Sequence, residues 1–491
     1  MDWGIPAIMI DCSRHELPKQ SRAKPAPVPL TSVVLFVIML FLAAQGAAGQ
    51  QANVRVYLPN MAEEDWSFLK DPAKKSDFWD PVKYIGLGRE NWFLTLGGEI
   101  RYRPEAFRIR GIGENPSLLD QYFLQRYLVG ASLHMGRRFR FYGEFQSGIV
   151  NGKLATPRPT DQNLGDIHQG FLEWKEKIGA KHEIALRVGR QELNIGSSRL
   201  ISASPGLNVK RSFDGAVLFY RNTSWRIAGA VAKLVNNGIS WFDDRPDHEQ
   251  TFWGVTASRK SPRFKQGELG FYYLGIDRLH SVYVQGTGQE QRHTLGVKWN
   301  GSGARFDLNY DGIVQWGRFG GAAASGWAFS TETGYRIPSV RLKPRFSVRA
   351  DFASGDKDAK DPRLQSFNPL FPGASYSGAT GLLGPTNLSD FTPAVTVVPH
   401  RTLVLGFECP NYWRTSTADG VYGIQLQVLV RPEVGGGHYV GSNPGIIVVW
   451  QATRHLQIQG AITRFLSSGF LKNSFVANGF GFYSATALYR F

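Results

Sequence analysis

Arginines that alternate with apolar residues are the groups in this sequence best suited to bind a ligand. The planar guanidinium of arginine binds a carboxylate through two N–H groups and stays charged at physiological pH. Acidic residues on the same strand faces would compete for these guanidinium groups, which keeps each anion site weak enough for conduction. The arginines are Arg101, Arg103, Arg138, Arg140, Arg187, Arg345 and Arg349, and the acidic residues are Glu99, Glu144 and Asp351. This pattern predicts the lining of a path for anionic molecules.

The same residues also allow a structural interpretation. Arginines inside a barrel commonly pair with glutamate and aspartate and so stabilise the barrel wall. The alternation places Glu99 on the same face as Arg101, and Asp351 on the same face as Arg349. From the residues alone, both interpretations stay open for each arginine.

The segments that carry these arginines alternate with a period of two. In residues 345–352, arginine, serine and aspartate occupy one face, while phenylalanine, valine and alanine occupy the other. Residues 94–103 and 305–311 divide in the same way. Such alternation through most of a chain is typical of strands with one face in lipid and the other in an aqueous lumen. It predicts an all-β fold over residues 92–491, a transmembrane antiparallel up-and-down β-barrel of about 18 strands.

The strand assignment also predicts the connections. The strands predicted near the C-terminus include 400–409 and 419–430, and the segment before them is predicted to be a long loop. Short connections rich in Gly, Asn and Ser are expected in the periplasm, and long ones outside the cell. The predicted long connections are 148–165, 192–212, 236–249, 277–290 and 354–399.

Residues 1–49 have the features of a signal peptide. Basic residues precede an apolar run at 33–44, which is too short to cross a bilayer of about 30 Å as a helix. Ala47, Ala48 and Gly49 supply the small residues that suit cleavage. An uncleaved N-terminal anchor is the alternative. The signal predicts export to the cell outer membrane, with residues 50–91 as a periplasmic segment ahead of the barrel.

The charge balance favours anionic partners. Lys and Arg total 56 against 40 Asp and Glu, which gives a formal net charge of +16. Such a field attracts lipopolysaccharide, acidic lipid or an acidic solute or polymer. The basic residues are scattered rather than gathered in runs, and this argues against a nucleic-acid partner.

Motifs for catalysis and metal binding are weak. The sequence has no nucleophile elbow, P-loop or dinucleotide-binding fingerprint, so we expect no cofactor and no enzyme activity. A barrel enzyme acting on lipid is the remaining catalytic alternative, with Ser281 beside His280 as an example of available residues. Asp356, Asp358 and Asp361 could hold Ca²⁺, although they lack the glycine and glutamate of an EF-hand and a solvated acidic loop is favoured.

Several motifs together resemble the alginate export family of outer-membrane porins. They are Glu63–Leu69, Asp80–Ile85, Arg187–Gly196 with Phe213-Asp214-Gly215, Ala353–Asp356 with Phe367–Pro372, and the terminal Tyr489-Arg490-Phe491. The resemblance implies an eighteen-stranded monomeric barrel with an electropositive constriction through which a polyuronate crosses the outer membrane. It adds Arg190, Arg199 and Arg211 to the candidate lining. Arg190 has the opposite parity to Arg187, so both face inward only if a bulge intervenes.

These observations predict an outer-membrane porin with an Arg-rich, electropositive pore for passive export of an anionic polysaccharide such as alginate. A substrate-selective uptake porin for small acidic solutes is the alternative, and a lipid-modifying barrel enzyme is less favoured. The expected partners are outer-membrane lipid and lipopolysaccharide, the anionic solute and periplasmic secretion components.

Overall fold

The computed structural model describes residues 57–107, 119–195, 199–261, 266–373, 378–432, 436–472 and 479–491. The predicted signal peptide at 1–49 lies outside these residues. In the described part of the chain, no helix is long and apolar enough to cross a membrane.

Eighteen antiparallel strands form a closed barrel, as the alternation predicts. Their bounds are β1 Trp92–Phe107, β2 Asp120–Met135, β3 Phe139–Asn151, β4 Asn163–Ile178, β5 His182–Gln191, β6 Phe213–Arg221, β7 Trp225–Asn236, β8 Gln250–Lys260, β9 Gln266–Tyr283, β10 Gly286–Ser302, β11 Phe306–Phe319, β12 Ala322–Arg336, β13 Arg345–Ala353, β14 Leu388–His400, β15 Leu403–Glu408 continuing in Asn411–Arg414, β16 Tyr439–Ser442 continuing in Gly445–Gln451, β17 Leu456–Ser467 and β18 Phe480–Arg490. The barrel closes where β18 pairs with β1, with Arg490 opposite Glu99.

Short elements lie outside the barrel wall. Before β1 come the 3₁₀ helices Met61–Glu63, Ser67–Lys70 and Pro72–Lys74, the α-helical turn Asp80–Lys83 (α1) and the strand Ile85–Gly86. Further short elements are the strand Arg245–Pro246, the hairpin Val421–Tyr422 with Val428–Val430, and the α-helical turn Gly469–Lys472 (α2).

The two faces of each strand differ as the sequence predicts. On β13, Phe346, Val348 and Phe352 point outward and remain 41–49% exposed in the isolated chain. Ser347 and Asp351 alternate with them and are buried in the interior. Large apolar side chains exposed around the outside of a closed barrel fit a hydrocarbon environment, because water would oppose so large an apolar surface.

The predicted strand number is correct, but one predicted strand is wrong and one strand was missed. Residues 388–400 form β14, although the prediction placed them in a loop. Pro393 and Pro399 obscure this strand in the sequence, since proline is rare inside strands. The predicted strand at 419–430 is instead a small separate hairpin, in which Tyr422 and Val430 are buried. Its alternation of apolar residues matches a wall strand, yet those side chains pack against inward-folded loops.

Connections at the two barrel ends differ in length. The end that carries the β2–β3 and β6–β7 turns, here called the turn end, has mostly short links. At the opposite end, the loop end, long connections follow β3, β5, β7, β13 and β15. The predicted long connection at 277–290 is wrong, because β9 and β10 extend to Tyr283 and Gly286 and leave only a tight turn.

Two long loops fold into the lumen and fill much of its loop-end half. The loop 192–212 contributes Leu200 and Ile201, and the loop 354–387 contributes Phe371, to one apolar cluster with inward residues of the wall such as Phe252. Backbone hydrogen bonds join the loops, since Ser202 N donates to Phe371 O at 3.0 Å. The interior therefore has a packed core at the loop end rather than an open tube.

Candidate functional site

Arginines on the first two strands hold the loop 192–212 in place. Arg101 donates to backbone carbonyls of residues 205–207 at 2.7 to 3.2 Å, and Arg103 donates to one of them at 2.9 Å. Arg126 on β2 donates to the same segment at 2.7 and 2.9 Å. Arg101 and Arg126 are both buried. The structure thus places the predicted residues Arg101 and Arg103 inside the barrel, with carbonyl oxygens as their partners.

Glu99 is the acidic partner of this group, but it does not bind the arginine beside it in sequence. Its carboxylate pairs with Arg126 across the strands and with Arg490 of β18 at 2.9 Å. Arg126 and Arg490 were missed in the sequence, although Arg490 stands between two apolar residues in the pattern that identified Arg101. The carboxylate is fully buried, so two guanidinium groups compensate for its loss of water.

A second buried network joins the loop 192–212 to β3 and β4. The pairing of these two strands skips His168, whose imidazole lies 3.0 Å from Glu192 and 3.9 Å from Glu144. Lys210 pairs with Glu192, and Tyr142 donates to Glu144 at 2.6 Å. The predicted neighbour of Glu144 on its face, Arg140, binds elsewhere. These carboxylates and the histidine could hold a metal ion, but Lys210 already supplies the positive charge.

On the opposite wall, β13 carries two of the predicted arginines. Arg345 donates to Asp307 at 2.6 Å and to Glu332 at 2.8 Å, and it is partly exposed. Arg349 lies 3.1 Å from Asp390 and 3.3 Å from Asp351. This wall therefore presents arginines and carboxylates in alternation along the strand.

A narrow gap of about 20 Å³ lies between this wall and the inward loops. Arg199 reaches it from the loop 192–212 and lies 3.9 Å from Asp351, and Asp390 also lines the gap. The structure thus brings Arg199 of the loop 192–212 next to Arg349 and Asp351 of β13, which are distant from it in sequence.

The other two arginines taken from the family resemblance have different surroundings. Arg211 donates to Ser202 O at 3.0 Å and Phe371 O at 2.7 Å, so it connects the two inward loops. Arg190 shares its strand face with the exposed Val188 and binds Asp214 at 2.8 Å. Because side chains alternate along a strand, Arg190 does not share the inward direction of Arg187.

An open vestibule occupies the turn end of the barrel. It has a volume of about 1240 Å³ and is lined by charged groups of the strand ends and of the segment before β1. Basic residues predominate in the lining. They are Arg137, Arg138, Arg140, Lys175, Lys177, Arg187, Arg221, Arg226 and Lys260, against Glu63, Glu64, Asp65, Glu173, Glu176 and Glu183. The ionisable side chains of the lining therefore carry a positive formal charge in sum.

Arg187 and Arg140 form the inner arginine pair of this vestibule. Arg187 donates to Glu173 at 2.7 Å and to Glu63 at 2.9 Å, and Arg140 donates to Glu173 at 3.0 Å. The guanidinium of Arg187 lies 4.4 Å from the centre of the Phe171 ring. Arg187 is buried, whereas the Glu63 side chain is 52% exposed. One N–H group of a buried arginine is thus occupied by a carboxylate that water can reach.

Arg138 lies nearer the mouth of the vestibule and is much more exposed to water. It pairs with Glu176 at 2.6 Å, and its side chain is 64% exposed. The three predicted arginines Arg138, Arg140 and Arg187 therefore form a series from the mouth of the vestibule to its inner end.

The segment before β1 closes the inner end of the vestibule. Ala62 O accepts a hydrogen bond from Arg140 at 2.6 Å, next to the contact of Glu63 with Arg187. Lys83 at the end of α1 lies 3.8 Å from Glu64. Burial raises the pKa of Glu64 and lowers that of Lys83, because each is removed from water, and the opposite charge of the partner only partly offsets this. An acidic segment is therefore held inside a basic mouth.

Two other sequence candidates are not assembled into sites. Ser281 is buried while His280 beside it is 64% exposed, so the two side chains lie in different environments. Asp356, Asp358 and Asp361 are not among the metal-capable groups that the described residues form. Those residues contain a different trio, Asp166, Asp243 and Asp244.

Comparison with known proteins agrees with this architecture. The family profile described as alginate export matches residues 93–475. Solved structures with the same fold include a BenF-like porin from Pseudomonas fluorescens Pf-5, with a TM-score of 0.55 and 10% identity over 81% of this chain and 98% of that one. OpdK from Pseudomonas aeruginosa, solved with vanillate, gives 0.54 and 11% over 81% and 98%. OccK8 (OprE) from Pseudomonas aeruginosa gives 0.53 and 11% over the same shares.

A search of curated proteins found no sequence match. The family profile nevertheless covers most of the barrel, from the second residue of β1 to the connection before β18. With its eighteen strands and its inward loops, the chain belongs to the alginate export family of outer-membrane porins.

Proposed function

We propose that this porin conducts an anionic polysaccharide such as alginate passively, from the turn end, which faces the periplasm, towards the loop end. The observation that carries the proposal is the vestibule at the turn end, with Arg187 and Arg140 at its inner end. Export places the polymer first in this mouth, and residues 1–49 would direct the protein to the outer membrane as a cleaved signal. The barrel would act as a monomer.

The basic lining would concentrate the polymer. A cleft lined by charges of one sign raises the local concentration of oppositely charged ligand. Arg138 at the mouth would make the first contacts, and Arg140 and Arg187 would bind carboxylates deeper in. Phe219 lines the vestibule 5.3 Å from the Arg187 guanidinium and offers an apolar surface for the face of a sugar ring.

Acidic residues would keep the binding weak. Glu173 already accepts from both Arg140 and Arg187, so an incoming carboxylate competes for their N–H groups. Passage requires sites that are occupied and then released, since one tight site would block the pore. Towards the loop end, Arg199 and Arg349 lie among Asp351 and Asp390 and would continue the same exchange.

Planar-bilayer recordings with oligouronate added from the turn end test this proposal. We expect anion-selective steps and block by oligouronate that weakens about tenfold or more in Arg187→Ala, because a buried charge-assisted contact is lost. Arg259→Ala is the matched control, since Arg259 carries the same charge on β8 but is not part of the vestibule lining. Equal loss in both variants, or the absence of conductance, contradicts the proposal.

Uptake of small acidic solutes is the second candidate. It is favoured by the fold shared with OpdK, a porin solved with vanillate, and by a vestibule large enough for such an acid. In the same recordings, vanillate and oligouronate distinguish the two. Block by vanillate at lower concentration than by oligouronate would favour uptake, and the reverse would favour the polymer.

A further inference from the structure

The loop between β7 and β8 lies along the end of β4. Trp241 forms a parallel bridge with Gly165, and Phe242 N donates to Gly165 O at 2.9 Å. The Trp241 ring also stacks near Phe145 on β3. These contacts bring the acidic residues that follow in the loop next to the first residues of β4.

Three carboxylates converge there. Asp166 of β4 and Asp243 and Asp244 of the loop each offer an oxygen, and these atoms lie within 4.8 Å of one another. Asp166 and Asp244 are buried. Converging buried carboxylates repel each other unless a cation or several donors compensate.

Oxygen atoms without donors lie at the same place. Asn163 is completely buried, and its amide nitrogen donates to Asp244 at 2.8 Å, which puts the carboxamide in the cluster. Its oxygen Oδ1 is buried and has no hydrogen-bond partner, and neither has Oδ1 of Asp243. A buried polar atom without a partner costs about 1–3 kcal/mol, so two such oxygens beside a carboxylate cluster are suitable ligands for a cation.

The hydrogen-bond donors around the cluster do not neutralise its negative charge. Backbone N–H groups reach all three carboxylates, from Ile167 and Asp244 to Asp166, from Gly238 to Asp244, and from Ser240 to Asp243. Arg190 binds Asp214 and lies 3.7 Å from Asp166, and Arg245 donates to the backbone oxygen of Asp244 at 2.9 Å rather than to its carboxylate. The buried carboxylate of Glu192 differs from this aspartate cluster, because Lys210 pairs directly with it.

We propose that Asp166, Asp243, Asp244 and the side-chain oxygen of Asn163 bind one Ca²⁺ ion, which fixes the loop 237–249 to the barrel rim. Ca²⁺ accepts six to eight oxygen ligands in flexible geometry, and water completes its shell. Mg²⁺ fits less well, since it demands near-ideal octahedral geometry and keeps most of its water.

Calcium titration of the purified full chain in detergent tests the site. We expect one Ca²⁺ per chain by calorimetry, and luminescence of bound Tb³⁺ excited through Trp241 that Ca²⁺ displaces. Asp243→Asn should weaken binding about tenfold or more, because affinity follows the number of charged ligands. Asp247→Asn is the matched control, since Asp247 is in the same loop but its carboxylate accepts hydrogen bonds from Glu249 N and the Gln250 side chain and is not part of the cluster.

Asn163→Ala provides a second variant that leaves the carboxylates intact and should also weaken binding. Heat-modifiable migration on a gel shows that each variant barrel is folded. No calcium uptake at millimolar concentration, equal affinity for Mg²⁺, or the same loss in Asp247→Asn overturns the proposal.

Discussion

The two halves of the lumen use the same residue type for different purposes. In the loop-end half, Arg101 and Arg126 are buried and donate to carbonyl oxygens of the loop 192–212. In the vestibule, Arg138, Arg140 and Arg187 bind carboxylates and lie beside open space. Four of them lie on wall strands and Arg138 ends the turn before β3, so their place in the wall determines only that they face the lumen. The element that folds against each arginine determines whether it holds structure or remains accessible to a ligand.

The largest effect should come from removing an arginine of the packed half. Arg126→Ala leaves the buried Glu99 with Arg490 as its remaining partner and takes two contacts from the loop 192–212. Breaking a buried pair costs about 3–5 kcal/mol, and Arg490 should keep the loss of unfolding free energy near about 3 kcal/mol. Urea unfolding in lipid vesicles measures this loss of unfolding free energy.

The same variant should also loosen the constriction. If Arg126 holds the loop as the contacts indicate, Arg126→Ala raises single-channel conductance and its noise. If the variant has the stability and the current noise of the parent, other contacts hold the loop. The contrast between the two halves of the lumen would then disappear.

A smaller effect is expected from Glu63→Gln in the vestibule. The carboxylate of Glu63 occupies one N–H group of Arg187 but is half exposed, so the pair is worth at most about 1 kcal/mol. Removing this internal competitor should tighten oligouronate block by up to about fivefold, with little change in stability. Concentration-dependent block in planar bilayers measures the change.

Asp65→Asn is the control for that experiment. It removes the same charge from the same segment, and its carboxylate accepts from Ser67 at 2.9 Å. If both variants tighten block equally, net charge alone explains the result, and the contact between Glu63 and Arg187 has no specific effect on block.

The sequence predicted the barrel well, because period-two alternation is imposed on every wall strand by lipid on one side. It could not distinguish β14 from the hairpin at 421–430, since prolines interrupt the first and the second alternates as a strand does. The alternation also identified arginines of the wall, but it did not identify the residues with which they form ion pairs. Glu99 binds Arg126 and Arg490 rather than its neighbour Arg101, because register across strands decides partners that spacing along a strand cannot show.

The smallest effect is expected at the mouth of the vestibule. Arg138 is 64% exposed and its pair with Glu176 is a surface ion pair, so Arg138→Ala should cost under about 1 kcal/mol of stability. If the proposed function is correct, its charge still contributes to the field that would attract an anionic polymer. Such a field acts on the association rate and is screened by salt. We expect oligouronate to block Arg138→Ala with a slower on-rate at low salt, an unchanged off-rate and no difference from the parent at 1 M salt. A changed off-rate would place Arg138 among the binding arginines with Arg140 and Arg187, and the distinction between the mouth and the inner end would then fail.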